Sequence, residues 1–302
     1  MTLAEPLDTL LAAGLLRIAQ EIDAGFDALL PIPADTRARL VEAMRYAAIG
    51  GGKRLRPLLL TATAEMYGVG REAAIRAGVA IEAIHVYSLI HDDLPCMDDD
   101  AVRHGKPTLH VAYDEATAVL AGDALHDLAF EVLSDPATSG DPFTRIELVR
   151  TLASASGFQG MAGGQMMDMV SETETLDLPT VTRLQQLKTG ALLGAAVEMG
   201  AILGHVSPEG RTHLRGYARD IGLAFQIADD LIDHEGSAAV AGKAVRKDAG
   251  AGKQTFVSLL GASRARAQAV MLVEQAIGHL SQHGAEADLL RALASYIVER
   301  NH

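Results

Sequence analysis

Apolar residues recur at intervals of three and four along almost the whole chain, and no convincing run alternates with a period of two. Leu10, Leu11, Ala13, Gly14, Ile18 and Ile22 fall on one side of a helix, as do Leu184, Leu187, Ala191, Val197 and Ala201. This spacing predicts an all-α chain. The core composition agrees: with six Phe, six Tyr and no Trp, the interior must be built from Ala, Leu, Gly and Ile, which favours closely packed helices over strands. Pro31 and Pro33, the stretches 135–143 and 171–179, and Ser207-Pro208 punctuate the helices, with Asp35 and Thr144 as expected caps. After Pro208 there is no proline, which leaves room for long helices. No linker or fixed-period repeat divides the chain. The expectation is a single all-α domain over residues 1–302, a large bundle of roughly ten or more helices.

Twenty-six basic against 39 acidic residues give a net charge of −13, which argues against a nucleic-acid surface. The single Cys96 forms no internal disulfide and fits a reducing compartment. Glu5 and Asp8 stand where a signal peptide would carry basic residues, and the uncharged stretch 151–167 is too broken by Gly, Ser and Gln to span a membrane. A cytoplasmic protein without a membrane span is expected.

Three constellations carry chemistry. In LIHDDLPCMDDD, residues 89–100, five of the nine positions from Asp92 to Asp100 are Asp, directly after an apolar run. Those carboxylates repel one another unless a cation or solvent screens them, and Asp at a helix C-terminus opposes the helix dipole. A solvated acidic helix end is the plain alternative. In FQIADDLIDHE, residues 225–235, Asp229 and Asp233 share a helix face with Gln226 one turn earlier. Two such clusters of hard oxygen ligands suit magnesium, whose other positions go to water and phosphate. In IGGGKRLRPLLL, residues 49–60, glycines precede Lys53, Arg54 and Arg56, a combination suited to an anion but without the spacing of a Walker loop. Further basic points are Arg103, Lys188, Lys243 and Lys253, and His85 lies two turns before Asp92. The Thr189 hydroxyl, inside an apolar helical pattern, can bond back to the preceding turn and bend it.

GGKRLRP, DDLPCMDDD followed by RHGKPTLH, GGQMMD, KTG, FQIADDLID and the Lys-rich loop ending GKQTF occur in this order between about Gly50 and Phe256. Together they resemble the trans-prenyl diphosphate synthases, most of all the bacterial farnesyl diphosphate synthase type. The resemblance implies a helical bundle around a deep central cavity, with the two Asp motifs facing each other across its mouth. It implies magnesium, or manganese as a substitute, held by Asp92, Asp98 and Asp229 with Asp93 and Asp233 in support. Arg103, Lys188 and Lys243, with Lys253 nearby, then grip the allylic diphosphate. Thr189 and Gln226 lie near the developing carbocation, and Lys53, Arg56 and His85 serve isopentenyl diphosphate. A homodimer is implied as well.

In one place the chain departs from the family pattern. Arg103 is followed by His104 where the family has a second arginine, so isopentenyl diphosphate binding is expected to be weaker and to strengthen in acid. Tyr87 and Ser88, one turn before Asp92, are the implied chain-length residues, and the bulky Tyr87 implies a fifteen-carbon product. Geranyl or geranylgeranyl products, a class I terpene cyclase and a non-catalytic partner subunit are the alternatives. A cyclase needs only one diphosphate pocket, and a partner subunit typically loses Asp or basic ligands, whereas this chain keeps all the Asp positions and changes only one Arg.

Overall fold

The computed structural model describes residues 4–236 and 254–299; Lys243 and Lys253 lie outside these residues. The chain is all-α. In order it forms α1 (Ala4–Leu29), α2 (Ala38–Ala48), α3 (Leu55–Met66), α4 (Arg71–Asp92), α5 (Leu109–Ala112), α6 (Glu115–Ser134), α7 (Pro142–Ser156), α8 (Met161–Val170) and α9 (Leu178–Gln185). A single π-turn, Gln186–Gly190, leads into α10 (Ala191–Leu203), which is followed by α11 (Thr212–Glu235). Then come α12 (Phe256–Leu260), α13 (Ala262–His279) and α14 (Asp288–Glu299). A two-stranded hairpin, β1 (Val102–Arg103) with β2 (Lys106–Pro107), interrupts the helices. His104 and Gly105 form its two-residue turn, both with positive φ, the backbone that matches the twist of a tight hairpin.

Four helices, α6, α7, α9 and α12, begin where a polar side chain satisfies orphan amides, though not always at the expected residue. For α7 the cap is Asp141, which accepts from Phe143 and Thr144 and stands directly before Pro142. Thr144 is therefore a helical residue, not the cap. Asp35 accepts from the Arg37 amide in a turn ahead of α2 rather than capping it. At α6 the cap is Asp114, which binds the Thr117 amide.

The buried apolar residues form one continuous cluster running from Leu11 to Ile297. Within it α4 lies against α3 and α6, α10 against α3 and α7, and α11 against α13. Helix α4 is long and apolar enough to cross a membrane, with a mean hydropathy of 1.4, yet 61% of that window is buried by its neighbours. Its apolarity is explained by having protein on most sides.

A buried ion network holds the basic loop before α3. Arg54, at positive φ and 3% exposed, reaches Glu82 of α4 at 2.8 Å and Asp23 of α1 at 2.7 Å, and also bonds the Ala48 carbonyl. Asp23 in turn accepts from the Gly50 amide. Removing one member of a buried network leaves the others charged and unpaired. Arg54→Met is expected to cost about 3–5 kcal/mol in a denaturant unfolding titration, far more than a surface Arg such as Arg37.

Candidate functional site

Helix α4 delivers the first acidic motif. Asp92 is its last residue, and the chain then turns so that the Asp98 amide donates to the Asp92 carbonyl at 2.8 Å. Burial pushes the Asp92 carboxyl up to about 6, with Asp98 and Asp93 adding to the rise against Lys188 and Arg103. Burial also raises Asp93, although the Arg103 guanidinium is bonded to it at 2.7 Å. Two carboxylates under such strain form a set of oxygen donors with too little positive charge around them. That set fits a hard divalent cation. Among the described residues no three His, Cys, Asp or Glu side chains enclose a point in space. Magnesium keeps several waters, takes phosphates as ligands and needs only one or two carboxylates from the protein.

The π-turn between α9 and α10 carries Lys188 and Thr189. A π-turn adds a residue to the helix and re-aims its side chains, and such bulges recur at functional sites. Thr189 does not bond back to its own helix: its hydroxyl donates to Gln226 Oε1 of α11 at 3.1 Å. Lys188 Nζ sits 2.7 Å from Asp168 Oδ2 of the GGQMMD segment. This close approach depends on Gly164, since a Cβ there would fall 2.2 Å from the Lys188 backbone nitrogen. Lys188 is also near enough to lower Asp92, so the π-turn and the end of α4 share one field.

Gln226 fixes the register of the second acidic motif. Asp229 follows one turn later on the same side of α11, and Asp233 one turn beyond it. The intervening Asp230 is engaged elsewhere. Its carboxylate accepts from the Phe256 amide at 2.8 Å, pinning the start of α12.

Arg56, His85 and His104 lie near Arg103, close enough that the charges on Arg56, His104 and Arg103 all act on His85, and Lys53 directly precedes Arg54 in the chain. Burial and the charge on Arg56 hold His85 well below the usual imidazole range. Arg56 Nε is buried with no hydrogen-bond partner among the described residues. An orphaned guanidinium nitrogen beside a Gly-rich turn is what an anion site offers before its ligand arrives. The His104 ring faces that turn: a Cβ on Gly51 would meet its Nδ1 at 3.7 Å. Burial, Arg103 and Arg54 keep His104 below its ordinary value, hence neutral at pH 7.

Below Asp92, Tyr87 packs edge-on to His91 and to His126 of α6, with ring centroids at 5.7 and 5.1 Å, and His126 continues onto Phe130 at 5.1 Å. Ser88 donates to the His85 carbonyl at 2.8 Å. Sequence reasoning singles out Tyr87 but misses His126 and Phe130; their spacing of four on one helix is the available signal.

A polyprenyl synthetase family profile matches residues 37–296. The chain belongs to the polyprenyl synthetase family. It is 45% identical to a farnesyl diphosphate synthase of Escherichia coli (strain K12), covering 90% of this chain and 93% of that one. It is 42% identical to geranylgeranyl pyrophosphate synthase 11, chloroplastic, of Arabidopsis thaliana, over 95% and 82% of the two chains. The crystal structure of an FPP/GFPP synthase from Zymomonas mobilis superposes with a TM-score of 0.89 at 58% identity, covering 96% of this chain and 99% of that one.

Gly164→Ala is expected to lower stability by about 1–3 kcal/mol through overpacking against the π-turn. Gly278→Ala, in helix α13 with open space around it, is expected to raise stability by about 0.5–1 kcal/mol. Thermal unfolding of the two variants checks the opposite signs.

Proposed function

We propose that the chain is a magnesium-dependent prenyltransferase that condenses isopentenyl diphosphate with dimethylallyl and geranyl diphosphates to give farnesyl diphosphate. One observation carries this reading beyond family membership. Lys188 and Arg103 stand on one side of the carboxylate pair that burial raises, and the orphaned Arg56 nitrogen, with His85 and His104 near it, offers a second anion-binding point beside Arg103. One diphosphate needs one such site; joining two needs both.

Asp92, Asp93, Asp98, Asp229 and Asp233 would hold the metal, which when bound neutralises charge on the leaving diphosphate. Lys188 and Arg103, with Lys243 and Lys253, bind and orient the allylic diphosphate as its C–O bond breaks, so the stabilisation is electrostatic. The Thr189 and Gln226 oxygens, locked together, present negative ends toward the cation. The double bond of isopentenyl diphosphate attacks, and the proton released passes to the departed diphosphate. Apolar walls exclude water that would quench the cation.

The aromatic stack of Tyr87, His126 and Phe130 supports a short product over geranylgeranyl diphosphate. Apolar side chains left in solvent on α6 and α7 and in the turn after α7, among them Leu120, Phe143 at 82% exposure, Ile146 and Phe158, support a homodimer. The exposed, unpaired Cys96 supports a reducing cytosol.

Incubation with isopentenyl and dimethylallyl diphosphates plus magnesium, read by chromatography, is expected to yield a fifteen-carbon product. No condensation product at all would refute the reading. Tyr87→Ala should shift the products toward twenty carbons or more; an unchanged distribution would remove Tyr87 from the chain-length floor. His104→Arg is expected to lower KM for isopentenyl diphosphate about tenfold at pH 7, the worth of one charge-assisted contact of about 1.4 kcal/mol. The wild-type KM should fall in acid as His104 gains a proton, whereas the His104→Arg variant should lose that dependence.

A further inference from the structure

The hairpin that follows the first acidic motif lies against the glycine turn before α3. A Cβ on Gly50 would meet Lys106 Nζ at 3.7 Å, one on Gly51 would meet His104 Nδ1 at 3.7 Å, and one on Gly52 would meet His104 Cε1 at 3.8 Å. With three glycines in a row, the turn itself puts no side chain between its backbone and the hairpin. Gly50 and Gly52 hold positive φ, which glycine adopts without strain. The turn is anchored from α1, because the Gly50 amide donates to Asp23 and Asp23 also accepts from Arg54. The hairpin is anchored as well. The Tyr46 hydroxyl of α2 donates to the Pro107 carbonyl at 2.9 Å, and Tyr46 packs edge-on to Tyr113. That clamp, one residue after Lys106, sets where the ammonium falls.

Lys106 pairs across the hairpin with Arg103, so two cations stand directly opposite each other. Like charges in that relation destabilise a strand pair, and here they occur in a chain of net charge −13. Arg103 is relieved by Asp93 and Asp100. Lys106 is not. Among the described residues it forms no ion pair, and its Nζ stands 6.0 Å from the centre of the Tyr46 ring, at the outer limit of a cation–π contact. The same turn leads to Arg56, whose Nε is buried without a partner, and the imidazoles of His85 and His104 are held below their ordinary range. A diphosphate ester carries several negative charges at neutral pH, and a neutral imidazole offsets none of them.

We infer that Lys106 binds the diphosphate of isopentenyl diphosphate, reaching over the glycine turn from the hairpin and supplying charge that His85 and His104 lack. The inference rests on the function proposed above and adds a residue to that site. The exposed ammonium ends a flexible stem and breaks no ion pair in turning from Tyr46 toward an anion over Gly50–Gly52. A compact, mobile point charge of this kind is suited to a phosphate oxygen. A structural role is the rival. Gly50 lies just past the end of α2 at Ala48, and a cation there also suits the dipole of that helix. The two roles separate in experiment: a dipole contact acts on folding, whereas a diphosphate contact acts on one substrate.

The test is calorimetric titration of the full chain with isopentenyl diphosphate, with magnesium present and no allylic substrate, so that no turnover occurs. Steady-state kinetics with both substrates follow. Lys106→Met keeps the stem and removes the charge. It should raise Kd and KM for isopentenyl diphosphate about tenfold, the loss of one charge-assisted contact, and leave KM for dimethylallyl diphosphate and Tm unchanged. Lys106→Arg should restore most of the affinity. A Lys106→Met chain that binds as tightly as the wild type, or whose loss falls equally on both substrates or on Tm, would overturn the inference and leave the proposed function standing. A wild-type chain that binds no isopentenyl diphosphate would overturn the function itself, and this inference with it.

Discussion

Helix backbones in this molecule approach one another closely enough that a single methyl group would separate them, and the site depends on it. A Cβ on Gly200 of α10 would lie 2.5 Å from the Leu60 carbonyl of α3, and one on Gly164 would collide with the π-turn. With only 4% aromatic residues, the bundle fills its interior with Ala, Gly and medium aliphatics. Side-chain volume is therefore small and the axes are near. That proximity brings the end of α4, the π-turn and the face of α11 within reach of one another. Polar groups on three different helices can then act on one ligand.

The electrostatics follow from the same compactness. Burial lifts Asp92, and no nearby cation is wholly its own: Arg103 is bonded to Asp93, and Lys188 to Asp168. The described structure thus holds its basic side chains on carboxylates that an incoming diphosphate could displace. Arg54 is different. Its fork is spent on Glu82, Asp23 and a backbone carbonyl, so it shapes the glycine turn rather than binding through it. Two arginines two residues apart, Arg54 and Arg56, therefore do unlike work: one is satisfied and buried, and the other keeps an orphaned nitrogen.

Much of this is legible in the sequence because helical periodicity is local, and because two acidic motifs and one basic motif are dense enough to be read alone. Helix boundaries are less so: Asp141 rather than Thr144 caps α7, because the proline directly after Asp141 outweighs a hydroxyl three residues on. The π-turn leaves no trace in the apolar pattern, since one inserted residue shifts the phase by less than a turn. Local sequence has Thr189 bending its own helix, whereas a partner 37 positions away, Gln226, claims its hydroxyl instead. The apolarity of α4 has its reason in the same kind of contact, since its burial by neighbouring helices is a tertiary fact. The aromatic stack beneath Tyr87 likewise joins α4 to α6, segments that no short window of sequence contains.

Asp229 and Asp230 are neighbours of identical chemistry, yet a helix turns about 100° between them. One looks along the Gln226 face; the other is committed to the Phe256 amide. The doubled aspartate is therefore not a spare. Its two carboxylates answer to different constraints, one set on the Gln226 face, where the proposed metal would sit, and one held to the chain's own path, and neither can stand in for the other. A motif that reads as repetition along the sequence is, in three dimensions, a division of labour.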